Sequence, residues 1–369
     1  MKLHVIMLLV SATILGTLLF SSVHYRVQTA SVTISDAIDA HIRQYQSFSG
    51  TVLVAQRSSI LFRKAYGCAN YEFEVLNELA TRFPIASNTK LFTAVAIMLL
   101  QEKGMLGVHD PVEKYVPGFL KTVTIHHLLT HTSGVPNYYK CWDSICRCKD
   151  LTQMMDTIKT WPLEFEPGSR YCYSNTGYLI LAHIIETISG ATYETFLQEQ
   201  IFNPLGMYST GSICSEQVIT RKASGYQIKN SVFYNAPSIT HPITLLGNGD
   251  LYSTADDVHI FMQALFSGAI INQESLDSLI SRHVLMDGSE ERAHGYGCFI
   301  DIRNGKQIVE YSGSLVGFLS RLVHIVDDNL TVIMLTNSED RDAVTNVWEG
   351  LLNMVQDKLS SNRTGQHYV

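Results

Sequence analysis

Positive charge is in short supply in this chain: 27 Lys and Arg against 34 Asp and Glu leave a formal net charge of −7 over 369 residues. Without a basic footprint, a nucleic-acid partner is excluded. Charged residues of both signs make up only 17%, against 46% hydrophobic, so a sizeable core can form. The chain has no C-x-x-C pair and no H-E-x-x-H, which argues against a zinc site of either familiar kind. His127-Leu128-Leu129-Thr130-His131 does space two imidazoles by one helical turn, but the general-base glutamate is missing and a structural or capping role fits better. No internal repeat or low-complexity linker interrupts the chain, and its length suits one large two-part domain or two ordinary ones. Nothing calls for a metal or a cofactor.

At the N-terminus an apolar run from Val5 to Phe20 follows Met1-Lys2. A spanning helix needs about 20 residues, so the run reads as a signal peptide within residues 1–30, with an uncleaved membrane anchor through 5–20 as the alternative. No cysteine follows it, so lipoprotein attachment is not indicated. Both readings place the rest of the chain outside the cytosol, secreted or periplasmic, where disulfides are permitted. Of seven cysteines, Cys141, Cys146 and Cys148 cluster, and a disulfide within that loop is expected. Cys68, Cys172, Cys214 and Cys298 read as small core residues.

Strand patterns occur at both ends: Gly50 to Ala55 and Ser59 to Phe62 early, then Tyr296 to Ile302, Gln307 to Tyr311, Phe318 to Val326 and Leu330 to Thr336. Helical spacing precedes them, with Ile34, Ile38 and Ile42, and follows them over Asp342 to Leu359. The terminal strands must share one sheet, which makes the middle, about 87–257, an insertion that reads as helical and loop-rich. The fold class is α/β (α+β): an antiparallel sheet flanked by N- and C-terminal helices, with an inserted all-α region. One domain over 31–359 and a disordered tail over 360–369 complete the expectation.

Chemistry is concentrated in two stretches. Ser87-Asn88-Thr89-Lys90 precedes a nearly all-apolar helix stopped by Gly104, and i, i+3 spacing brings the Lys90 amine to the Ser87 hydroxyl. Burial would remove the lysine proton near neutral pH, and the Ser87 amide at the helix N-terminus offers half of an oxyanion hole. Farther on, Tyr173-Ser174-Asn175 is the one Y-x-N in the chain. In an extended loop its Tyr and Asn face one cavity. A phenol near an ammonium is stabilised as phenolate, and the Asn175 amide can hold a substrate amide and the Lys90 amine.

With S-x-x-K followed by Y-x-N, the chain resembles the serine β-lactamase and penicillin-binding-protein superfamily, in its class C-like branch. Thr124 to Gly134, Ile201 to Met207 and Gly249 to Asp257 resemble the same branch, and the likeness runs from about residue 33 to about 355. The resemblance implies a three-layer α/β sandwich with the site in a crevice beside the helical region. It also implies a third motif, Lys or His, a small residue and Gly. Here Tyr311-Ser312-Gly313-Ser314 holds that place, with Gly317-Phe318 following. By analogy Ser312 and Gly313 fit as substrate-binding positions, and the Ser314 amide is the second oxyanion donor beside Ser87. Tyr311 departs from the pattern, and a phenol in place of the cation is expected to weaken binding of an anionic ligand.

The implied activity is serine hydrolysis through an acyl-enzyme on an amide, ester or β-lactam, with Ser87 as nucleophile and Lys90 and Tyr173 sharing base and acid roles. The alternatives are an esterase or D-amino-acid peptidase without β-lactamase activity, and a non-catalytic member that binds peptidoglycan. The implied partner is a small-molecule or peptide substrate, with cell-wall peptide as one candidate.

Overall fold

The apolar run Gly50–Gln56 (β1) is a strand buried on both faces, and alternation of its side chains divides them between two cores. Val52 and Val54 pack with Ile38, Ile42, Val347 and Trp348, whereas Leu53 and Ala55 belong to a larger cluster shared with the central helices. The computed structural model of the protein describes residues 33–214, 217–230, 232–239, 241–285 and 292–364. The leader expected over 1–30 lies outside the described residues.

Seven further strands join β1: β2 (Ser59–Tyr66), β3 (Val284–Leu285), β4 (Arg292–His294), β5 (Phe299–Arg303), β6 (Lys306–Leu315), β7 (Phe318–Ile325) and β8 (Leu330–Thr336). They form one antiparallel sheet in the order β3-β4-β5-β6-β7-β8-β1-β2. Gly50 of β1 stands opposite Thr336 of β8, so the two ends of the chain are joined in the sheet as the sequence pattern required. A helix at each end covers one face. Ile34–Ile42 (α1) starts on a capping box in which Thr33 Oγ1 accepts from the Asp36 amide and the Asp36 carboxylate accepts from the Thr33 amide. Arg341–Thr364 (α4 below) packs beside α1, and a side chain at Gly350 would meet His41 Nε2, so this glycine sets how closely the helices approach.

The other face carries the insertion, built around Thr89–Glu102 (α2) and Asn175–Ser189 (α3). It is not all-α. Phe83–Pro84, Leu251–Ser253 and Gly211–Ser212 form a small sheet, and Tyr226–Lys229 pairs with Val232–Asn235. Runs of two to four residues are too short for periodicity to reveal. The C-terminal helix α4 also continues past Leu359 to Thr364, into residues expected to be disordered. Ser360 to Thr364 contains no Gly or Pro to end it.

All seven cysteines are free thiols, so the disulfide expected near Cys141 is not formed. Local structure accounts for two of them: the Cys146 thiol donates to the Asp143 carbonyl and the Cys148 thiol to the Ser144 carbonyl, each satisfied within its own turn.

Several imidazoles are buried or half-buried: His294 and His324 fully, His126 in part. Burial holds His126, His294 and His324 down at about 4, with neighbouring histidines adding to the effect on His126 and His324. In the unfolded chain they titrate near 6.5, so the unfolded state binds more protons between pH 6.5 and 4. Stability is therefore full above pH 6.5 and falls as pH drops through that window. Urea midpoints measured from pH 7 to 4.5 should decline, and His324→Gln, which removes a ring stacked on Phe266 at 3.8 Å, should flatten the decline while lowering stability at pH 7.

Candidate active site

Strand Phe83–Pro84 leads into a turn, Ala86–Asn88, directly ahead of α2. Ala86 has φ 48°, in the left-handed region that costs a non-glycine residue about 1–2 kcal/mol. Neighbours hold it there. The Ile85 amide donates to the Leu251 carbonyl at 2.9 Å, Ser320 Oγ donates to the Ile85 carbonyl at 2.7 Å, and Asn88 Nδ2 donates to Ser320 Oγ at 2.9 Å. The turn presents Ser87 to a cavity of about 450 Å³.

One helical step on, Lys90 is 2% exposed. Its Nζ bonds to Asn175 Oδ1 at 2.8 Å, to the Asn248 carbonyl at 2.7 Å and to Ser87 Oγ at 3.3 Å. No carboxylate is among these partners, and burial pushes the amine well below its ordinary value. Tyr173 approaches from the α3 side, its hydroxyl donating to Ser87 Oγ at 3.0 Å. Burial raises the phenol to about 12, only partly opposed by that bond to Ser87. Desolvation thus disfavours both charged forms: it pushes the Lys90 amine down, as expected from its burial, and the Tyr173 phenol up, against the expected stabilisation of a phenolate.

Asn175 is the first residue of α3, and it and Tyr173 face the same cavity. The loop before α3 is fixed by His131, whose Nδ1 accepts from the Ser174 amide at 3.2 Å and whose ring lies 4.5 Å from that of Tyr173. His127 Nδ1 accepts from the Thr124 amide and closes a capping box. Both histidines of the spaced pair thus serve the backbone.

Ser312, Gly313 and Ser314 on β6 line the cavity's opposite wall. A Cβ on Gly313 would stand 2.3 Å from the Ile85 carbonyl oxygen and 3.0 Å from the Ser87 nitrogen, so only glycine lets β6 lie against the Ser87 turn. Tyr311 is not in the cavity wall. Its ring is 2% exposed within the large core, and burial beside Cys298 holds its phenol well above the ordinary value. The expectation that it contacts substrate is corrected: an uncharged ring loses little by leaving water, and it packs in the large core near Cys298 and Tyr178.

The missing cation has counterparts elsewhere. Arg321 and Arg341 both line the cavity, and Arg341 donates to Ser314 Oγ at 2.9 Å and to Glu339 at 2.8 Å. Sequence reasoning missed both arginines, as well as Ser320 and the Asn248 carbonyl. Of these only Asn248 carried a signal, standing next to the Gly249 to Asp257 stretch; the others reach the site through sheet and helix packing alone.

Comparison with known proteins follows the same outline. The family described as Beta-lactamase matches residues 34–352. Penicillin-binding protein 4* of Bacillus subtilis (strain 168) is 33% identical over 320 residues, covering 79% of this chain and 69% of that protein. The putative penicillin-binding protein PbpX of the same organism is 31% identical over 256 residues, covering 69% and 64%. The chain thus spans about two thirds of the length of these curated relatives. The crystal structure of a penicillin binding protein from Bacillus halodurans superposes with a TM-score of 0.74 at 28% identity, over 85% of this chain and 98% of the other. Fold and comparisons agree: the chain belongs to the Beta-lactamase family and is a serine hydrolase of the acyl-enzyme type.

Proposed function

We propose that Ser87 attacks the carbonyl of an amide or ester in a small peptide-like substrate, with Lys90 as base and Tyr173 as acid. The observation that carries this reading is the bonding of Lys90. A neutral amine has two hydrogens, which the Asn175 and Asn248 oxygens accept at 2.8 and 2.7 Å, and one lone pair, which is left for the Ser87 hydroxyl at 3.3 Å. The Ser87 proton passes to Lys90 as the new C–O bond forms, and the amides of Ser87 and Ser314 hold the oxyanion. Tyr173 then gives its proton to the leaving group as the scissile bond breaks and is reprotonated from Lys90. Water releases the acyl group by the reverse sequence.

Arg341 and Arg321 favour substrates with an anionic end, which keeps penicillins and carboxylate-terminated peptides within reach although Tyr311 supplies no charge. The names of the curated relatives, penicillin-binding proteins, point to the same class. An esterase or D-amino-acid peptidase is the second reading, favoured by the absence of a lysine or histidine at position 311. An extracytoplasmic location belongs to the proposal and rests on the leader-like run Val5 to Phe20. Among the described residues, no helix is long and apolar enough to cross a membrane.

The deciding experiment is an intact-mass time course with a penicillin. A persistent adduct on Ser87 indicates a penicillin-binding protein, a transient one with drug consumption a β-lactamase, and none at any time an esterase or peptidase. Tyr173→Phe, which keeps the ring and its packing on His131, should lower turnover about 10²- to 10³-fold with little change in Tm. A loss below threefold would remove Tyr173 from the proton path.

A further inference from the structure

We propose that Asp250 is a positioning residue for the Lys90 base: its carboxyl closes the turn from Gly247 to Asp250, and that turn holds the Asn248 carbonyl on the Lys90 amine. This rests on the reading of Lys90 as base. No step of the mechanism uses Asp250, yet it is 0% exposed, and among the described residues it forms no ion pair. Burial without a cation pushes its carboxyl up to about 7. Its work lies in two hydrogen bonds. The Gly247 amide donates across the turn to Asp250 Oδ1 at 2.9 Å, and Ser212 Oγ donates to Oδ2 at 2.9 Å.

The turn faces α2, the helix that carries Lys90. Two successive carbonyls project from it: that of Gly247 accepts from Thr93 Oγ1 at 2.6 Å, and that of Asn248 accepts from Lys90 Nζ at 2.7 Å. Lys90 and Thr93 stand three apart on one face of α2, so both carbonyls meet their donors only while the turn keeps its shape. The Asn248 and Gly249 amides donate to the Leu245 carbonyl at 2.9 and 2.8 Å, which fixes the side of the turn nearer Leu245. The bond from Gly247 to Asp250 closes the other side. Directly after it, the Leu251 amide donates to Thr89 Oγ1 at 3.1 Å, and the Leu251 carbonyl accepts the Ile85 amide that steadies the Ser87 turn.

Asn248 and Gly249 line the cavity and Asp250 does not, so Asp250 acts on the reaction only through the backbone it holds. The Lys90 lone pair is directed at Ser87 when both amine hydrogens have acceptors, and the Asn248 carbonyl is one of the two. Without the Gly247 bond that carbonyl can swing and the amine can turn with it. Misplacement by about 1 Å costs a reaction about 10²-fold. The outer oxygen has a different task. Ser212 pairs with Leu251 in the small sheet, and the Ile213 amide donates to the Asp250 carbonyl at 2.7 Å, so that side anchors the turn to the rest of the fold.

The test compares wild type with Asp250→Ala, Asp250→Asn and Ser212→Ala, using 4-nitrophenyl acetate. Asparagine keeps an oxygen for the Gly247 amide and offers its nitrogen to Ser212 Oγ, alanine keeps neither bond, and Ser212→Ala removes the outer partner while leaving the turn closed. Asp250→Ala should lose about 10²-fold in kcat with KM nearly unchanged. Asp250→Asn should restore kcat to within about threefold of wild type, and Ser212→Ala should lower Tm at unchanged kcat, which a merely structural role for Asp250 would not produce. If Asp250→Ala does not fold, Asp250→Ser replaces it with the same expectation. A crystal structure of the folded variant should show Lys90 Nζ more than about 3.5 Å from the Asn248 oxygen, beyond hydrogen-bond reach. Wild-type kcat in Asp250→Ala, an equal fall in Ser212→Ala, or an undisturbed contact between Lys90 and Asn248 overturns the proposal. If Lys90→Met turns the ester over as wild type does, or wild type does not turn it over, the reading of Lys90 has failed instead, and the crystallographic separation alone decides whether Asp250 holds Asn248.

Discussion

Purified Ser87→Ala is expected to lose turnover by about 10⁴-fold or more and to form no covalent adduct with any acylating substrate, while folding as the wild type does. Among the described residues the hydroxyl alone both accepts from Tyr173 and meets the Lys90 amine, at 3.0 and 3.3 Å, so no neighbour is placed to take over its attack. Removing a nucleophile from a hydrolytic constellation of this type costs about as much as removing the whole constellation, because its members act as a unit. Structural loss should be slight: Ala86 at φ 48° is held by Ser320 and Leu251 through the Ile85 backbone, and none of those bonds involves the Ser87 side chain. Equal Tm together with abolished turnover is the expected pair of results. Activity within tenfold of wild type would refute the nucleophile.

Lys90→Met should have the second largest effect, a fall of about 10²- to 10⁴-fold in kcat/KM. Methionine fills the same volume without a lone pair to take the Ser87 proton. It also leaves the Asn175 and Asn248 oxygens without their donor, which costs about 1–3 kcal/mol for each buried group left unsatisfied, so a lower Tm accompanies the loss of rate. A pH profile separates the two consequences. Since the deprotonated amine is the working form and burial pushes its pKa well below the ordinary 10.5, wild-type kcat/KM should rise with pH and level off below that value. The Tyr173 phenol, held at about 12, stays protonated across the same range and contributes no falling limb there. A rising limb centred at 10.5 or above would mean that Lys90 remains an ammonium and that the base lies elsewhere.

How far the site was legible can be judged from particular residues. Ser87 and Lys90 could be paired from sequence because a separation of three residues, across the turn Ala86–Asn88 and the start of α2, fixes their proximity wherever that segment lies. Tyr173 and Asn175 were recognisable as a couple for a similar local reason, although the couple spans a loop and the first residue of α3. Their convergence on Ser87, 86 residues away for Tyr173, was an expectation from the chemistry of phenol, amide and amine that the family resemblance strengthened. Tyr311 shows where that route stops. Its place on the strand was identified, yet whether its ring faced substrate depended on which neighbours enclosed it.

Determined by the sequence alone were the antiparallel sheet made from the two chain ends, the helices that cover it, and the spacing of Ser87 and Lys90. These follow from periodicity and short-range geometry, which are properties of neighbouring residues. Only the tertiary structure decided the upward shift of the Tyr173 phenol, the burial of Tyr311 and the arrival of Arg341 beside Ser314. Each of these depends on how completely distant segments exclude water from one another, and desolvation is a property of the assembled fold that no local pattern records.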